Sequence, residues 1–427
     1  MGSASRKDEV LRFDEATEVI SAHTERLART RPSIERVDLG HASGRVLASP
    51  LRADSDQPPF ARSTRDGFAC RAAEASAHRP LVVTGTTRAG QAPAGTLPRG
   101  AAWEIMTGAQ VPKGADAVMM LEHVEAVGDA SAPAVRLLPP RTVEEGENIV
   151  ARGAQARKGD VLLSAGTVIG AAQMALAASC GYAELNVFSK PRVAILSTGD
   201  ELVPIKSKPG PGQIRNSSSA MLAAMVVNAG GTPWVLPIAR DTAKALDVAL
   251  ARAAAADLLL ITGGVSAGKF DLVEPALART GARFHFTGVR IQPGKPLVFG
   301  ELPAKQSRSA KGRHILPFLG LPGNPVSSAV TFLLFAAPVL AALAGRISPG
   351  PRFALAKLAG EDVKAKPGLT RFLPAACAFN GPSPQVDLFP WQGSGDIAAM
   401  ARANCFLVVP EDSDRIAAGA TVRILLL

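Results

Sequence analysis

Four loops whose residues suit phosphate and metal chemistry each follow an apolar segment between residues 193 and 325. Their glycines let the backbone approach a ligand closely, and their hydroxyl and carboxylate groups can hold phosphates and a hard cation. The loops are Ser197-Thr198-Gly199-Asp200-Glu201, the glycine-rich stretch 263–271, Gln292-Pro293-Gly294-Lys295-Pro296 and Leu321-Pro322-Gly323-Asn324-Pro325. Together these residue types predict a site for a phosphorylated substrate and a divalent metal ion.

Strands and helices alternate in the region that must hold these loops. We predict strands at 193–197, 234–238, 257–262, 296–299 and 315–321, and helices at 218–228, 242–256 and 272–280. Such alternation predicts a mostly parallel sheet that is covered on both faces. Ligands bind at the carboxyl ends of the strands in sheets of this kind, and the four loops lie at those ends.

Other regions flank this α/β stretch. The chain has 427 residues, more than one hydrophobic core usually supports, so we expect roughly two to four domains. An amphipathic helix is predicted at 14–30, where apolar residues recur at helical spacing. The predicted domains are an N-terminal helix and linker domain at 10–60 and 153–190, a β-rich inserted domain at 61–152, the α/β domain at 191–345, and a C-terminal barrel or sandwich of short strands at 350–427.

Composition limits the partners of the chain. The formal net charge of +10 is compatible with nucleic acid, an anionic membrane or an anionic small molecule. The basic residues are scattered, and aromatic residues are only 5% of the chain, which argues against a surface that stacks on bases. The cysteines are far apart and form no C-x-x-C pair, which fits a reducing, cytoplasmic setting. The six histidines show no metal-ligand spacing and are expected to be structural or exposed.

The segment 326–345 carries no charged residue and is nearly long enough to span a bilayer. It contains Pro338 and hydroxyl residues, it begins directly after a tight Pro-Gly-Asn-Pro turn, and no second apolar span accompanies it. We therefore predict a helix buried between a sheet and a neighbouring subunit, and no membrane association. The N-terminus, residues 1–10, is polar and lacks the apolar core of a signal peptide.

The glycine-rich stretch comes close to a P-loop. Residues 263–269 match G-x-x-x-x-G-K, but Phe270 stands where a Ser or Thr must bind magnesium. This favours a different phosphate loop over a P-loop NTPase. We expect the chemistry to use carboxylates, hydroxyls, lysine and backbone amides, as metal-assisted phosphoryl or adenylyl transfer does.

Several of these residues also have a purely structural interpretation. Asp200 and Glu201 could act only as turn or capping carboxylates. Asp241 precedes a predicted helix and could be only its N-cap. Asn324 and Pro325 are ordinary residues for a helix start, yet a helix N-terminus also offers unpaired N–H groups to an anion. For Asn324 the two interpretations can hold together.

Separated motifs, in order, resemble one family over about residues 10–427. They are 63–69 (Ser-Thr-Arg-Asp-Gly-Phe-Ala), 105–109 (Ile-Met-Thr-Gly-Ala), 114–118 (Gly-Ala-Asp-Ala-Val), 197–202 (Ser-Thr-Gly-Asp-Glu-Leu), 263–266 (Gly-Gly-Val-Ser), 293–296 (Pro-Gly-Lys-Pro), 321–327 (Leu-Pro-Gly-Asn-Pro-Val-Ser) and 392–394 (Gln-Gly-Ser). One such motif alone is weak evidence for a family, whereas all of them in this order are highly specific evidence. The chain resembles the molybdopterin molybdenumtransferases, the MoeA family, which includes the gephyrin E domain.

The resemblance implies a fold and a reaction. The fold is an elongated four-domain homodimer with a three-layer α/β molybdopterin-binding domain, a β-rich inserted domain that reaches the partner's active site, and a C-terminal β-barrel domain. The reaction hydrolyses adenylylated molybdopterin and inserts molybdate, with Mg²⁺ or another divalent cation. A molybdopterin adenylyltransferase and molybdoenzymes are the protein partners to consider.

The resemblance also implies roles for individual residues. Glu201 and Asp271 would hold the metal, Ser266 would hydrogen-bond the phosphate or the attacking water, and Lys295 would supply a point charge. The implied catalytic residues are Asp66, Thr107, Glu201, Asp241, Ser266 and Asp271. The implied substrate-binding residues are Ser197, Thr198, Gly263, Gly264, Lys295, Pro296, Gly323, Asn324, Arg371 and Ser394. Asp66 and Thr107 would come from one subunit and the others from its partner.

The chain departs from the family pattern at several positions. A Gly-Glu-Asp segment is replaced by Gly153-Ala154-Gln155, and basic residues are replaced by Gly288, Gln292, Leu369 and Pro374. Arg371 could compensate for the last two. These departures weaken the oxyanion site and motivate an alternative from another class. In that alternative the chain is a non-catalytic, molybdopterin-binding paralogue that serves as a scaffold or chaperone for a molybdoenzyme.

Overall fold

The computed structural model describes residues 10–30, 32–129, 131–264, 272–303, 315–347 and 350–427. These residues form two compact units, between which the chain passes more than once. The first unit contains the described residues up to Ser49 together with Ala165–Gly170 and those from Glu184 onward. The second contains Pro50–Ser164 and Ala171–Ala183.

The helices agree closely with the positions of apolar periodicity in the sequence. They are α1 (Phe13–Ala28), α2 (Ala72–Ala75), α3 (Ala171–Ser179), α4 (Ser217–Asn228), α5 (Ala243–Ala253), α6 (Val273–Arg279), α7 (Pro325–Thr331), α8 (Ala337–Leu343) and α9 (Ile397–Arg402). A π-helical turn, Phe332–Ala336, joins α7 to α8. The helices α2 and α9 were not predicted from the sequence.

The strands of the first half are β1 (Ile34–Asp38), β2 (Leu51–Arg52), β3 (Arg62–Ser63), β4 (Gly67–Cys70), β5 (Leu81–Thr87), β6 (Ala101–Ile105), β7 (Ala117–Met120), β8 (Val124–Val127), β9 (Ala134–Leu137), β10 (Ile149–Val150), β11 (Val161–Leu163), β12 (Glu184–Phe188), β13 (Arg192–Ser197), β14 (Leu202–Val203) and β15 (Ile214–Arg215). Those of the second half are β16 (Thr232–Val235), β17 (Leu258–Thr262), β18 (Arg283–Phe286), β19 (Ile291–Gln292), β20 (Val298–Pro303), β21 (Ile315–Leu321), β22 (Phe353–Leu358), β23 (Val363–Lys364), β24 (Thr370–Ala378), β25 (Gln385–Leu388), β26 (Cys405–Val409), β27 (Arg415–Ile416) and β28 (Thr421–Leu426).

The α/β part of the first unit has three layers. Its sheet has the order β16-β13-β17-β21-β20-β18. The first four strands are parallel, β20 is antiparallel to them, and the edge strand β18 is antiparallel to β20. Alternate residues of β13 enter opposite cores, since Val193 and Ile195 pack with α1, α4, α7 and α8, whereas Ala194 and Leu196 pack with α5 and α6. Because both faces are covered, β17 is buried along its whole length.

The apolar helix that follows β21 lies inside this core. The segment Pro325–Leu343 is long and apolar enough to cross a membrane by length and composition, but 89% of its apolar window is buried inside the protein. Val330 and Val339 belong to the same core as the sheet. The predicted buried helix is therefore confirmed, while its contact with a neighbouring subunit stays a prediction.

The C-terminal part of the first unit is a closed barrel. The strands run in the order β24-β25-β22-β28-β26, and β26 pairs again with β24 to close the ring. Between barrel and sandwich, the alternatives left open by the strand pattern, the structure shows the barrel. The short strand β19 extends it by pairing in parallel with β24, which joins the α/β part to the barrel through backbone hydrogen bonds.

The second unit is built on a six-stranded sheet of order β7-β4-β6-β5-β9-β8. The sheet has cores on both faces, because Cys70 and Met119 pack in one cluster while Ala69 and Trp103 pack in the other. Gly85 lies on β5 directly beside Trp103, and a Cβ at Gly85 would lie 2.5 Å from the indole ring. This close approach explains a glycine in the interior of a strand.

Candidate active site

Three parallel strands of the first unit end at the same level. Ser197 of β13 lies opposite Thr262 of β17, and Thr262 lies opposite Leu321 of β21. Because the strand ends are in register, the loops that follow them begin side by side. These loops surround a cavity of about 260 Å³. The predicted site residues on its wall are Thr198, Glu201, Gly263, Gly323 and Asn324.

The glycines of these loops are required by close backbone approach. Gly263 has φ +89°, and a Cβ there would lie only 2.4 Å from the carbonyl oxygen of Thr198. Gly199 has φ +147°, and a Cβ there would lie 2.4 Å from Oε2 of Glu201. The Glu201 carboxylate therefore folds back over the turn at Gly199, and only glycine leaves it that space.

One buried hydroxyl at the site has no visible partner. Thr198 Oγ1 is shielded from solvent, and it makes no hydrogen bond within the described part of the chain. Buried polar atoms are nearly always paired with protein, water or a ligand. Since Thr198 lines the cavity, its hydroxyl is a polar group available to a ligand.

Two acidic residues lie outside the cavity wall: Asp200, which precedes Glu201, and Asp241, which follows β16. Asp200 Oδ1 is 3.5 Å from the Arg240 guanidinium, and both side chains are mostly exposed. Asp241 is exposed. The N-cap of α5 is Thr242, whose hydroxyl accepts from the Ala245 N–H at 3.3 Å. The interpretation of Asp241 as the N-cap is therefore wrong, because the cap hydroxyl lies one residue further on.

Asn324 does not cap the helix that it precedes. It occupies the N-cap position of α7 without a side-chain cap hydrogen bond. Its Nδ2 instead donates to Ser394 Oγ at 2.9 Å, and the N–H of Val326 donates to the Ser394 carbonyl at 3.1 Å. The structural interpretation of Asn324 as a cap is wrong, because its side chain reaches the segment before α9. Because Pro325 has no N–H and the N–H of Val326 is bonded to Ser394, the start of α7 offers an anion mainly its helix dipole.

Ser197 lies behind the cavity rather than on its wall. Its Oγ is 2.8 Å from Ser219 Oγ, and Asn216 caps α4 by accepting from the Ser219 N–H at 3.1 Å. This buried network fixes α4 against β13. Sequence reasoning missed the α4 side of the cavity, which the run Asn-Ser-Ser-Ser before an apolar helix could have revealed. The missed wall residues are Leu202, Ile214, Arg215, Asn216, Ser217 and Ser218.

A second group of predicted residues lies where β19 meets the barrel. Gln292 is the register partner of Arg371. Arg371 Nη1 donates to the Lys364 carbonyl at 3.1 Å. Arg371 Nε and Gln292 Oε1 are both buried without a hydrogen-bond partner among the described residues. Burial also lowers the pKa of Arg371. Lys295 follows on the same loop with an exposed side chain, and Pro296 is half-buried.

The other departures from the family pattern occupy varied surroundings. Gly288 packs against Val10, since a Cβ at Gly288 would lie 3.1 Å from Val10 Cγ2. Pro374 is buried within β24. Gln155 is exposed in the second unit. A basic side chain at residue 288 would displace Val10, so the local packing is fitted to glycine there.

The remaining predicted residues are placed as follows. Asp66 and Thr107 lie together in the second unit, where the Thr107 N–H donates to Asp66 Oδ1 at 2.6 Å. This hydrogen bond lowers the pKa of Asp66. Gly264 follows Gly263 with φ +62° and does not line the cavity. Ser266 and Asp271 lie outside the described residues.

A larger hollow of about 460 Å³ lies elsewhere in the first unit, between the start of α1 and the barrel. Of its charged wall residues, Arg12 pairs with Glu411 at 2.5 Å, and Arg415 pairs at 3.0 Å with Asp362, which lies outside the wall. Its wall contains none of the strand-end loops. The smaller cavity at the strand ends is the better candidate, because glycine turns converge there with the Thr198 hydroxyl, a buried group that has no partner among the described residues.

Fold and site together define a multidomain protein whose parallel sheet presents oxygen ligands and backbone donors to a small anionic molecule. Residues 11–181 match the MoeA N-terminal region (domain I and II), residues 194–342 match a probable molybdopterin binding domain, and residues 357–427 match the MoeA C-terminal region (domain IV). The chain belongs to the MoeA family of molybdopterin molybdenumtransferases.

Individual relatives agree with this assignment. A molybdopterin molybdenumtransferase of Bacillus subtilis (strain 168) is 34% identical over 399 residues, which cover 92% of this chain and 90% of that protein. One from Haemophilus influenzae is 31% identical over 394 residues, covering 91% and 93%. A crystal structure of the molybdopterin biosynthesis MoeA protein from Pyrococcus horikoshii OT3 superposes with TM-score 0.77 at 28% identity, covering 98% of this chain and all of that one.

Proposed function

We propose that this protein, a molybdopterin molybdenumtransferase of molybdenum cofactor biosynthesis, takes the adenylylated form of molybdopterin and releases AMP as it inserts molybdate. Membership of the family supports the transferase activity. The site geometry supports the finer statement, because the cavity combines oxygen ligands with backbone donors suited to a phosphate group. The single observation that carries it is the convergence of Thr198, Glu201, Gly263 and Asn324 on one cavity.

The cavity residues fit a divalent cation. The Glu201 carboxylate, the unpartnered Thr198 hydroxyl and the Asn324 amide are all hard oxygen groups on one wall, and Mg²⁺ prefers such ligands. We propose that Glu201 and Asp271 hold Mg²⁺. When bound, Mg²⁺ would neutralise charge on the phosphate oxygens.

The phosphate end of the substrate is assigned to the start of α7. The Asn324 side chain does not cap α7, and Gly323 lies beside Gly263, since a Cβ at Gly323 would lie 3.6 Å from the Gly263 Cα. Helix N-termini bind phosphate through unpaired N–H groups and the helix dipole. Thr198 and Ser266 would donate hydrogen bonds to the phosphate oxygens or orient the attacking water. Ser197 and Gly264 support this site from behind, through the α4 network and the turn after Gly263.

Molybdate is assigned to the group at β19 and the barrel. Arg371 Nε is a buried donor without a partner among the described residues, and oxyanions are the natural acceptors for a guanidinium. Lys295 adds an exposed ammonium on the same loop, Pro296 shapes the loop, and Ser394 positions Asn324 between the two subsites. A second positive charge, absent at Gln292, would strengthen this subsite.

We also propose that the working form is a cytoplasmic homodimer in which Asp66 and Thr107 of one subunit complete the site of the other, opposite Asp241. The 2.6 Å hydrogen bond between them presents the two residues as one preformed unit. All the cysteines, Cys70, Cys180, Cys377 and Cys405, are free and buried, which suits a reducing compartment. An adenylyltransferase would supply the substrate, and molybdoenzymes would receive the product.

The test is a turnover assay. The purified protein is given adenylylated molybdopterin, molybdate and Mg²⁺, and AMP is quantified by chromatography. We expect AMP release that depends on Mg²⁺ and on molybdate. Tight substrate binding without AMP release would overturn the proposed turnover and support the non-catalytic paralogue instead.

A further inference from the structure

A buried cluster of two histidines and a glutamate lies in the first unit. His23 is on α1, His285 is on β18 and Glu301 is on β20. The sequence places them far apart, so no ligand spacing reveals them. One nitrogen of each histidine and one carboxylate oxygen all lie within 4.8 Å of one another.

This cluster is separate from the strand-end cavity. Glu301 pairs in register with Pro317, near the start of β21, whereas the cavity lies beyond the end of β21 at Leu321. The four residues between them span roughly 13 Å of extended strand. The cluster therefore lies toward the opposite ends of the strands from the cavity, and the proposed reaction does not use it.

The ligand atoms are close to the spacing that a tetrahedral ion requires. Zinc–nitrogen bonds of about 2 Å place two ligands of one ion about 3.3 Å apart. His23 Nδ1 is 3.3 Å from Glu301 Oε1, and His285 Nε2 is 3.6 Å from Glu301 Oε2. The ligand atoms of the three residues all lie within 4.8 Å of one another.

Burial and incomplete pairing distinguish the cluster from a surface group. The side chains of His23 and Glu301 are 4% and 7% exposed. His285 Nε2, which lies 3.6 Å from Glu301 Oε2, is buried and has no hydrogen-bond partner within the described ranges. Burial, followed by the charges of Arg26 and His285, lowers the pKa of His23 to about 3. Burial, Arg283 and Arg26 lower that of His285 to about 4. Both rings are therefore neutral at pH 7, the state that binds metals.

Arg26 occupies the place that an ion would take. Its Nη2 donates to Glu301 Oε1 and lies 3.0 Å from His23 Nδ1. The Arg26 side chain is half-exposed, so its guanidinium can leave the cluster for solvent without disturbing the core. Arg26 is thus the cation in contact with Glu301, and Arg283 is a second positive charge near the cluster.

We propose that His23, His285 and Glu301 form a divalent transition-metal site, which an ion such as Zn²⁺ enters when the Arg26 guanidinium moves out to solvent. Two imidazoles and one carboxylate are a ligand set of zinc, and imidazole suits zinc, copper, iron and nickel rather than Mg²⁺. Phe299 packs against both rings, with centroids 4.9 Å from His23 and 5.1 Å from His285, which holds the rings at the pocket.

The test uses Co²⁺ as a visible probe, with the full chain freed of any affinity tag and with excess Mg²⁺ present to occupy the strand-end site. We expect one equivalent of Co²⁺ to produce tetrahedral absorption bands that Zn²⁺ abolishes. Arg26→Ala should bind about tenfold or more tightly, because the competing cation is gone. His285→Gln should bind at least about tenfold more weakly, because a ligand is lost.

The matched control is His41→Gln, since His41 is an exposed histidine of the same unit. It should bind Co²⁺ as the unchanged protein does. Absence of the bands in both the unchanged protein and Arg26→Ala would overturn the proposal, as would equal binding by His285→Gln. If His285→Gln fails to fold by circular dichroism, His23→Asn takes its place. AMP release is independent of this outcome, so failure here leaves the proposed function untouched.

Discussion

The side-chain amide of Asn324 donates a hydrogen bond to the hydroxyl of Ser394 across 2.9 Å. Asn324 stands at the start of α7, and Ser394 precedes α9, whose N-cap is Asp396. The Asn324 amide therefore makes a long-range hydrogen bond and does not cap its own helix. The contact fixes the loop before α7 and keeps the Asn324 side chain out of the cap of that helix.

Asn324→Asp places a negative charge where we assign the phosphate. Like charges about 4 Å apart repel by about 1 kcal/mol in water and about 4 kcal/mol near a protein surface. We expect kcat/KM for AMP release to fall by about 10- to 100-fold. The control is Asn380→Asp, which adds the same charge at an exposed position and should change little. Equal effects of the two variants would contradict the assignment.

Glu201→Gln removes the charge of the only predicted metal ligand that the structure describes. We expect the Mg²⁺ concentration for half-maximal AMP release to rise by about tenfold or more, because carboxylate charge sets the affinity for hard cations. Chelation of divalent ions should abolish release from the unchanged protein. Glu361→Gln, at an exposed position, is the control. A normal Mg²⁺ requirement in Glu201→Gln would exclude this ligand.

Gln292→Arg restores a positive charge beside Arg371, its register partner on β24. A charge about 4 Å from the anion contributes about 1 kcal/mol in water, so we expect the KM for molybdate to fall about fivefold. Arg371→Gln should raise it. Gln385→Arg, which adds the same charge at an exposed residue of β25, should have no effect. An unchanged KM in both Gln292→Arg and Arg371→Gln would place molybdate elsewhere.

The architecture was predictable because each strand and helix carries its own pattern. The continuous apolar run 258–262 is buried on both faces, and period-2 alternation on β13 divides between two cores. Strand β18 was missed because its sequence, Arg-Phe-His-Phe, has only two apolar residues and lies at the sheet edge. The four domain boundaries predicted from composition stay a prediction.

The site was predictable to the extent that its residues follow strands directly. Thr198, Gly263 and Gly323 reach one cavity because their strands end in register. Local sequence could not show that Ser197 turns into the α4 network, or that Asn324 bonds a residue 70 positions away. Such contacts depend on tertiary packing, and no short-range pattern encodes them.

Mixed dimers test whether the site is shared between subunits. Asp66→Ala removes the acceptor of the Thr107 N–H, and Asp271→Ala removes the proposed metal ligand. Each variant alone should lose most AMP release. Refolded together, they form heterodimers in which one of the two sites has both residues, so about a quarter of the normal activity should return when half of the dimers are mixed. Absence of any recovery, with dimers verified by mass, would argue against a shared site.

The buried histidines predict how stability depends on pH. The pKa of His23 is lowered to about 3 and that of His285 to about 4, chiefly by burial and also by Arg26, with Arg283 acting on His285. Below about pH 6.5 both histidines become protonated in the unfolded chain but stay neutral in the folded protein. The free energy of unfolding therefore decreases as pH decreases. Above that pH both histidines are neutral in the folded and the unfolded protein, so they do not make the free energy of unfolding depend on pH.

Between pH 7 and pH 5 we expect the free energy of unfolding of the first unit to decrease by about 3 to 4 kcal/mol, because each histidine contributes up to about 1.4 kcal/mol per pH unit below its unfolded pKa. Urea unfolding at the two pH values measures this difference. His23→Gln cannot be protonated and should roughly halve the decrease, because only His285 still resists charging. His41→Gln alters an exposed ring and should leave the decrease intact. If His23→Gln and the unchanged protein lose equal stability, His23 must become protonated in the folded protein. The half-exposed Arg26 side chain must then move away from the cluster as the pH decreases.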